Sequence, residues 1–411
     1  MKVALLNHSD VYGGAARAAF RLFESLLLKQ TDVEYLVDFK TLNHDSIFCP
    51  HTLVAQKLLR LRMPLGSRLL KLEQPKEVLP RSANFFPSEW PFILQRRKYD
   101  VINLHWVGGE MLSIADVRKI KQPIVWTLHD MWPFCGDEHY TTHFRWRDGY
   151  NSANRPAADR GWDLSKQRWE AKVRNWSDSD ITFVAPSNWM GALAKSSYIG
   201  KRHDCVVIPN AINTDVWKPT SDRTILRNIG VDLDRPVALF GSMGGTQIWQ
   251  KGYDLLDDAL VKIRLAIPDL QVVIFGEEGS QQQAKRPNTF YTGFLADDSA
   301  LAEVYSSSDV MIVPSRMDNL PNTAVEASAC GTPVVCFDVG GLSDIVENGK
   351  SGFVVPPFDV SELGNAVIEL VSDRQKRMDF SGSARAHIQK NFSYTKVAGE
   401  YDRLYASKSK K

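Results

Sequence analysis

Asp318 and Glu326 stand in the run Val313-Pro-Ser-Arg-Met-Asp318-Asn-Leu-Pro-Asn-Thr-Ala-Val-Glu326-Ala-Ser-Ala-Cys-Gly-Thr-Pro-Val-Val335. The apolar start reads as a strand, Asp318 opens a loop, and Glu326 falls about two turns into the helix that follows. The first N–H groups of a helix have no partner within it, so two acids here flank a natural anion site. Asp318 as an N-terminal cap and Glu326 as a helix-face charge is the plainer reading. Against it, a carboxylate inside Ala-Val-Glu-Ala-Ser-Ala-Cys is costly to bury without a partner.

Three other places have residues suited to the same kind of ligand. Gly13-Gly14 follows the first apolar run and precedes a helical stretch, Ala15–Lys29. That is either a tight turn or a backbone cleared of Cβ atoms for an anionic or sugar group. His129, in Thr127-Leu-His129-Asp130, ends the run Ile124–Leu128; it suits a sugar hydroxyl or developing positive charge, or else a structural bond to backbone. Lys251-Gly252 opens a helix after the glycine loop Gly241-Ser-Met-Gly-Gly-Thr. A lysine there opposes the helix dipole unless a diphosphate sits beside it, the alternative being a solvated surface lysine.

The elements that must position these residues follow a parallel α/β rhythm, with short β-branched runs, Gly/Asp/Ser turns and then helical spacing. Strands are predicted at Val3–Asn7, Val33–Asp38, Val101–Leu104, Ile124–Leu128, Ile181–Ala185 and Val206–Ile208. After the polar junction Ile208–Pro219 the rhythm restarts at Val237–Phe240, Val272–Phe275, Val310–Val313, Pro333–Phe337 and Gly352–Val355. With 411 residues, two domains are expected, 1–214 and 215–392, with a C-terminal helix near 393–406 packing back on the first. Each motif above then falls at the carboxyl end of a strand, where open α/β sheets bind ligands.

Composition narrows the class. Fifty basic against 48 acidic residues leave a net charge of +2, which excludes a global field for nucleic acid. The five cysteines form no CxxC pair, which disfavours a zinc site or a disulfide framework and fits a reducing cytoplasm. The N-terminal apolar run is too short for a signal peptide, and nothing approaches the roughly 18–20 apolar residues of a spanning helix. The lysine-rich end Ser407–Lys411 reads as a frayed tail.

In this order along the chain, Gly13-Gly14, Thr127-Leu-His129-Asp130, Pro209-Asn210-Ala-Ile-Asn-Thr-Asp215, Lys251-Gly252, the Asp318–Glu326 segment with Gly331-Thr-Pro-Val-Val, and Gly340-Gly341-Leu-Ser-Asp344-Ile-Val resemble family 4 glycosyltransferases. The resemblance implies the GT-B fold: α/β, two Rossmann-like doubly wound domains with parallel sheets facing across a cleft. It also implies a retaining hexosyltransferase of bacterial polysaccharide or lipopolysaccharide biosynthesis. The donor would be a UDP- or GDP-sugar, serving as co-substrate with no cofactor, and the acceptor a glycan or polyprenyl-linked saccharide. Site residues carry over as follows. Glu326 would hold the ribose hydroxyls, Asp318 would face the donor sugar, and the N–H groups of Asn319 and Leu320 would bind diphosphate or sugar. Lys251 would neutralise the leaving diphosphate, His129 would contact the sugar near its anomeric centre, Gly13 and Gly14 would approach donor phosphate and acceptor, and Gly276-Glu-Glu-Gly279 would lie near the base. The sequence departs from the family at two places. Asp318 replaces a glutamate, and Thr246 stands where an arginine usually partners the lysine, leaving Arg316 as a substitute candidate.

Asp178-Ser-Asp180 and Asp232-Leu-Asp234 spell the DxD of metal-dependent transferases, but their positions, a helix-to-strand junction and a turn before a strand, point to no metal. Leu53–Pro75 mixes leucines with Lys57, Arg60, Arg62, Arg68 and Lys71, which suits either contact with an anionic membrane at the inner face of the plasma membrane or a helix packed on its own domain. The seven-residue spacing of Trp162, Trp169 and Trp176 places all three on one helix face. A nucleotide-sugar epimerase or hydrolase of the same fold, or a catalytically silent nucleotide-sugar-binding protein, would share the donor motifs. An NAD-dependent dehydrogenase fits less well, for neither half carries GxGxxG.

Overall fold

The computed structural model describes residues 1–50, 53–75, 79–241, 244–279 and 286–409, with the side chains of 53–56 and 58 excepted. Ser242 and Met243 of the glycine loop, and the last two lysines of the tail, lie outside the described residues. Contacts divide the chain into two compact units, Met1–Asn210 with Val397–Lys411, and Ala211–Lys396. Residues 211–214 join the second unit for a physical reason. Ile212 exchanges backbone hydrogen bonds with Phe392 (2.9 Å) and Tyr394 (3.2 Å), and Trp217 is buried in that unit's core.

The first unit is built on a seven-stranded sheet in the order Ile47–Phe48, Asp32–Phe39, Lys2–Ser9, Val101–Leu104, Ile124–Thr127, Ile181–Ala185, Asp204–Val207. All its pairings are parallel, with Leu6 opposite both Leu36 and Leu104, and Leu104 opposite Trp126. Central strands buried on both faces explain why their sequences are continuous apolar runs rather than alternations. The helix Tyr394–Lys408 returns to this unit through polar contacts to the sheet. The Asn103 side-chain amide donates to Tyr405 Oη at 2.7 Å, and Thr127 Oγ1 meets Tyr401 Oη at 2.9 Å.

The second unit has a six-stranded parallel sheet ordered Thr289–Tyr291, Gln271–Phe275, Val237–Gly241, Val310–Val313, Val334–Phe337, Gly352–Val355, with an apolar cluster on each face. In both units the strand order reverses beside the first strand. The switch lies between Lys2–Ser9 and Val101–Leu104 in the first unit, and between Val237–Gly241 and Val310–Val313 in the second. Loops leaving these pairs diverge to opposite sides and leave a crevice, which is where ligands of such folds bind.

Two sheet-edge strands, Ile47–Phe48 and Thr289–Tyr291, carry no apolar run and were not legible. The tryptophan reading needs correction. Asp163 caps the helix Leu164–Trp176 by accepting from the Lys166 N–H at 3.1 Å, so Trp162 lies outside the helix. Trp162 is 59% exposed, beside a two-stranded antiparallel pair of Glu73–Gln74 with Arg160–Gly161, whereas Trp169 and Trp176 are buried.

Candidate active site

In the second unit the loops from the two switch-point strands meet. Lys251 ends a short 3-10 turn, Trp249–Lys251, and Gly252 follows in the left-handed region (φ 67°) as the cap of the helix Tyr253–Ala266. A Cβ on Gly252 would stand 2.0 Å from the Pro314 carbonyl oxygen, so only glycine lets the two loops approach. Across this junction Lys251 Nζ donates to Asp318 Oδ2 at 2.6 Å, with Asp318 largely buried and the lysine about one-third exposed. The two charged residues expected to serve one ligand are thus in contact. The acid removes the penalty of a lysine at the positive end of a helix.

Asp318 is held from behind. Gly341 N–H donates to the Asp318 carbonyl at 3.2 Å, and at Gly340 (φ 60°) a Cβ would lie 1.6 Å from that oxygen. Asn319 and Leu320 follow, both buried, and Pro321 precedes the helix Asn322–Ala329 with no side-chain cap. Glu326 is buried on this helix and accepts from Tyr305 Oη at 3.0 Å, which rules out the solvated helix-face reading.

Gly276 (φ 84°) leaves the neighbouring strand, and its N–H donates to the Gly293 carbonyl at 2.9 Å. The next residue, Glu277, ties this loop to the lysine loop: its Oε2 accepts from Thr246 N–H at 2.7 Å. A Cβ on Gly245 would come within 2.4 Å of the same oxygen. Glu277 was missed as a determinant of loop geometry, although the Gly244-Gly245 pair hinted at a close approach. Arg316 is adjacent, but its guanidinium is engaged with Asp254 (2.7 and 2.5 Å) and with the Trp249 carbonyl at 3.0 Å.

The first unit carries the remaining residues. Gly13 has φ 101° and no atom within 4 Å of where a Cβ would stand, so its backbone conformation, and not crowding, requires glycine. Gly14 begins the helix Gly14–Leu28, whose first turn holds no acid. His129 leaves the carboxyl end of Ile124–Thr127, and its Nε2 lies 2.9 Å from Nδ1 of His105, a residue the sequence reading did not single out. Burial lowers the His129 imidazole to about 4 against the opposing pull of Asp130, and burial with the neighbouring ring takes His105 well below the ordinary histidine range. Both rings are therefore neutral near pH 7.

The loop after His129 is clamped twice. Asp130 Oδ2 binds His139 Nδ1 at 2.6 Å and His139 Nε2 meets Ser82 Oγ at 2.8 Å; because Ser82 is buried and accepts from Gly109 N–H at 3.2 Å, this chain joins loops and exposes no nucleophile. The fully buried Lys172 donates to the carbonyls of Trp132, Cys135 (3.2 Å) and Gly136 (2.6 Å). Burial lowers its ammonium to about 7, while three carbonyls and the Trp132 face 3.6 Å away favour the charge.

Neither DxD stretch gathers ligands. Asp178 and Asp180 follow the helix that ends at Trp176, and Asp232 accepts from the Asp234 N–H at 3.1 Å as a turn. Among the described residues there is no group of three or more His, Cys, Asp or Glu side chains that could hold a metal ion.

Two parallel α/β units, each with a switch-point crevice, are the architecture of the GT-B fold. Residues 12–216 match the family described as Glycosyltransferase Family 4, and residues 229–387 that described as Glycosyl transferases group 1. The chain belongs to family 4 of the glycosyltransferases. It is 30% identical over 222 residues to the alpha-maltose-1-phosphate synthase of Mycolicibacterium smegmatis, a match that covers 48% of this chain and only 56% of that relative's length. It is 26% identical over 329 residues to the D-inositol 3-phosphate glycosyltransferase of Corynebacterium aurimucosum, covering 75% of this chain and 72% of the other. The solved structure of Anabaena Alr3699/HepE in complex with UDP-glucose shares the fold, with a TM-score of 0.65 at 17% identity over 99% of this chain and 100% of that one.

The close approach at Gly340 gives a direct check on this geometry. Gly340→Ala must displace the Asp318 backbone and is expected to lower stability by about 2 kcal/mol or more in urea unfolding, with backbone strain at positive φ adding to the clash. Gly382→Ala, inside the helix Arg374–Phe392 with no atom within 4 Å of the new Cβ, is the control and is expected to raise stability by up to about 1 kcal/mol, the opposite sign.

Proposed function

We propose that the protein is a retaining hexosyltransferase that moves a sugar from a UDP- or GDP-sugar to a glycan or lipid-linked saccharide acceptor, in cell-surface polysaccharide or lipopolysaccharide assembly. The observation that carries this reading is the contact of Lys251 with Asp318 at the switch point, on the same loop-helix segment as buried Glu326. The UDP-glucose bound by the Anabaena neighbour and the transferase names of the relatives support it.

In this mechanism the bond from the anomeric carbon to the diphosphate breaks ahead of attack, and the acceptor hydroxyl oxygen bonds to the same face of the sugar while its proton passes to the departing phosphate oxygen. Negative charge grows on the departing diphosphate. Lys251 meets that charge, with the N–H groups of Asn319 and Leu320 assisting, and Asp318 keeps the lysine aimed before the donor arrives. Glu326 takes the ribose hydroxyls and Gly276 lies near the base. We assign neutral His129 of the first unit to the donor sugar, where it would not repel developing positive charge, and Gly13 and Gly14 to phosphate and acceptor. With Thr246 in place of an arginine and Arg316 held by Asp254, Lys251 carries most of the side-chain charge compensation. Lys251→Ala is expected to lower kcat by roughly 100-fold or more, the scale of losing one key electrostatic donor; an unchanged kcat would remove Lys251 from the mechanism. Activity is expected to persist in excess chelator, and a loss restored by magnesium or manganese would contradict the metal-independent reading.

On this reading, contact with an anionic membrane would fall on the helix Leu53–Leu70 and the residues just after it. Leu61, Leu65 and Leu72 are exposed among exposed Lys57, Arg60, Arg68 and Lys71, while Leu59 and Gly66 are buried and Arg62 is tied to the Pro87 carbonyl at 2.9 Å. Exposed Trp162 lies next to Leu72, its N–H donating to the Leu72 carbonyl at 2.9 Å. Leucines, a tryptophan and basic residues together suit the surface of an anionic bilayer, where a lipid-linked acceptor is met. No helix among the described residues is long and apolar enough to cross a membrane. Flotation with liposomes is expected to increase with phosphatidylglycerol content and to fall for Arg60→Glu/Arg68→Glu; flotation that ignores lipid charge would contradict the membrane contact.

A further inference from the structure

We propose that His105 is a positioning residue for His129, locking that ring in one orientation and one tautomer through the Nδ1 to Nε2 contact. The inference rests on the reading of His129 as a group facing the donor sugar. His105 follows Val101–Leu104 and His129 follows Ile124–Thr127, and these strands are neighbours in the sheet, with Leu104 opposite Trp126. Adjacent parallel strands are about 4.8 Å apart, so side chains just past their carboxyl ends are brought into register. The two rings lie end to end, 26° from parallel with centroids 5.2 Å apart, and the nitrogens lie 2.9 Å from each other.

His105 is anchored through its backbone on both sides. Its N–H donates to the Leu6 carbonyl at 2.8 Å, and its own carbonyl accepts from Trp126 Nε1 at 3.2 Å. It is 3% exposed, and its Nε2 is buried with no hydrogen-bond partner. His105 also lines a small recess with Trp126, Thr127, His129 and Trp132. A polar ring is costly to bury in this way unless another of its contacts repays the burial. The Nδ1 contact is the one the structure supplies.

Two neutral rings share one proton across that contact, and this couples their tautomers. If His105 carries hydrogen on Nδ1, His129 must accept at Nε2 and carry its own hydrogen on Nδ1. If His129 donates from Nε2, its Nδ1 is bare. In either state the atom that His129 offers on its far side is fixed by His105. Protonating either ring is opposed by burial of both, so the pair keeps an uncharged face.

The test combines nitrogen-resolved NMR of 15N-histidine-labelled protein with turnover of UDP-glucose, measured as UDP release. In the wild type, the His129 ring nitrogens are expected to show a single neutral tautomer from pH 8 down to about 5, and in His105→Ala an averaged tautomer. His105→Ala is expected to lower kcat by about 10- to 100-fold, the usual scale for losing a partner that orients a functional histidine, with KM for UDP-glucose nearly unchanged. His105→Asn, whose amide stands where Nδ1 stood, is expected to restore most of the rate and the single tautomer. A wild-type His129 that averages its tautomers, or a His105→Ala enzyme of normal kcat beside an impaired His129→Ala, would overturn the proposal. Should His129→Ala itself keep full kcat, the reading of His129 fails, and the NMR comparison alone decides whether the rings are locked.

Discussion

A lysine and an aspartate 67 residues apart in sequence are in contact at 2.6 Å, and much of the second unit is arranged so that they can be. The constraint is steric before it is electrostatic. Lys251 and Asp318 sit on loops that leave adjacent parallel strands at the point where strand order reverses. These loops come together only because Gly252 has no side chain to strike the Pro314 carbonyl, and the loop after Val334–Phe337 closes on Asp318 only because Gly340 has none to strike its carbonyl. Packing of the sheet fixes the loop origins, the glycines permit the approach, and the ion pair then holds a partly exposed ammonium at a defined place. A helix whose N-terminus has no capping side chain, and a buried Glu326, complete a surface suited to a ligand that is anionic in one part and hydroxylated in another.

The first unit solves a different problem, the presentation of an uncharged polar ring. Two histidines side by side would repel if protonated, and burial keeps both neutral. The loop beyond them carries buried groups of its own. Lys172 satisfies three carbonyls of that loop and Asp130 fixes His139, so the loop is held without apolar contacts alone. Such networks are worth most when every member is satisfied, which explains why a lysine is tolerated at full burial here.

Most of the fold was legible because parallel strands buried on both faces leave continuous apolar runs, and the glycine turns after them mark the carboxyl ends. The edge strands Ile47–Phe48 and Thr289–Tyr291 left no such trace, since at 2 and 3 residues they are too short to make a readable run. Lys251, Asp318 and Glu326 were legible as types at spacings, but their contact was not, because it depends on which strands are neighbours. His105 was missed for the same reason: in Asn103-Leu-His-Trp it reads as an ordinary residue at the end of a strand, and only the register with Trp126 brings it to His129. Trp162 shows the opposite failure. A helical spacing was read through Asp163, a capping residue that begins the helix after it.

The central claim is that the switch point of the second unit binds a nucleotide-sugar through its diphosphate and ribose. Its most direct test is the thermal shift of the wild type and Glu326→Ala with UDP, GDP and their sugars, run in chelator. A ligand at 100 times its Kd stabilises by about 2.7 kcal/mol, a shift easily seen. The account predicts that one nucleoside diphosphate and its sugar raise the Tm of the wild type and not of Glu326→Ala. No shift from any of them, or an equal shift in both proteins, would contradict it.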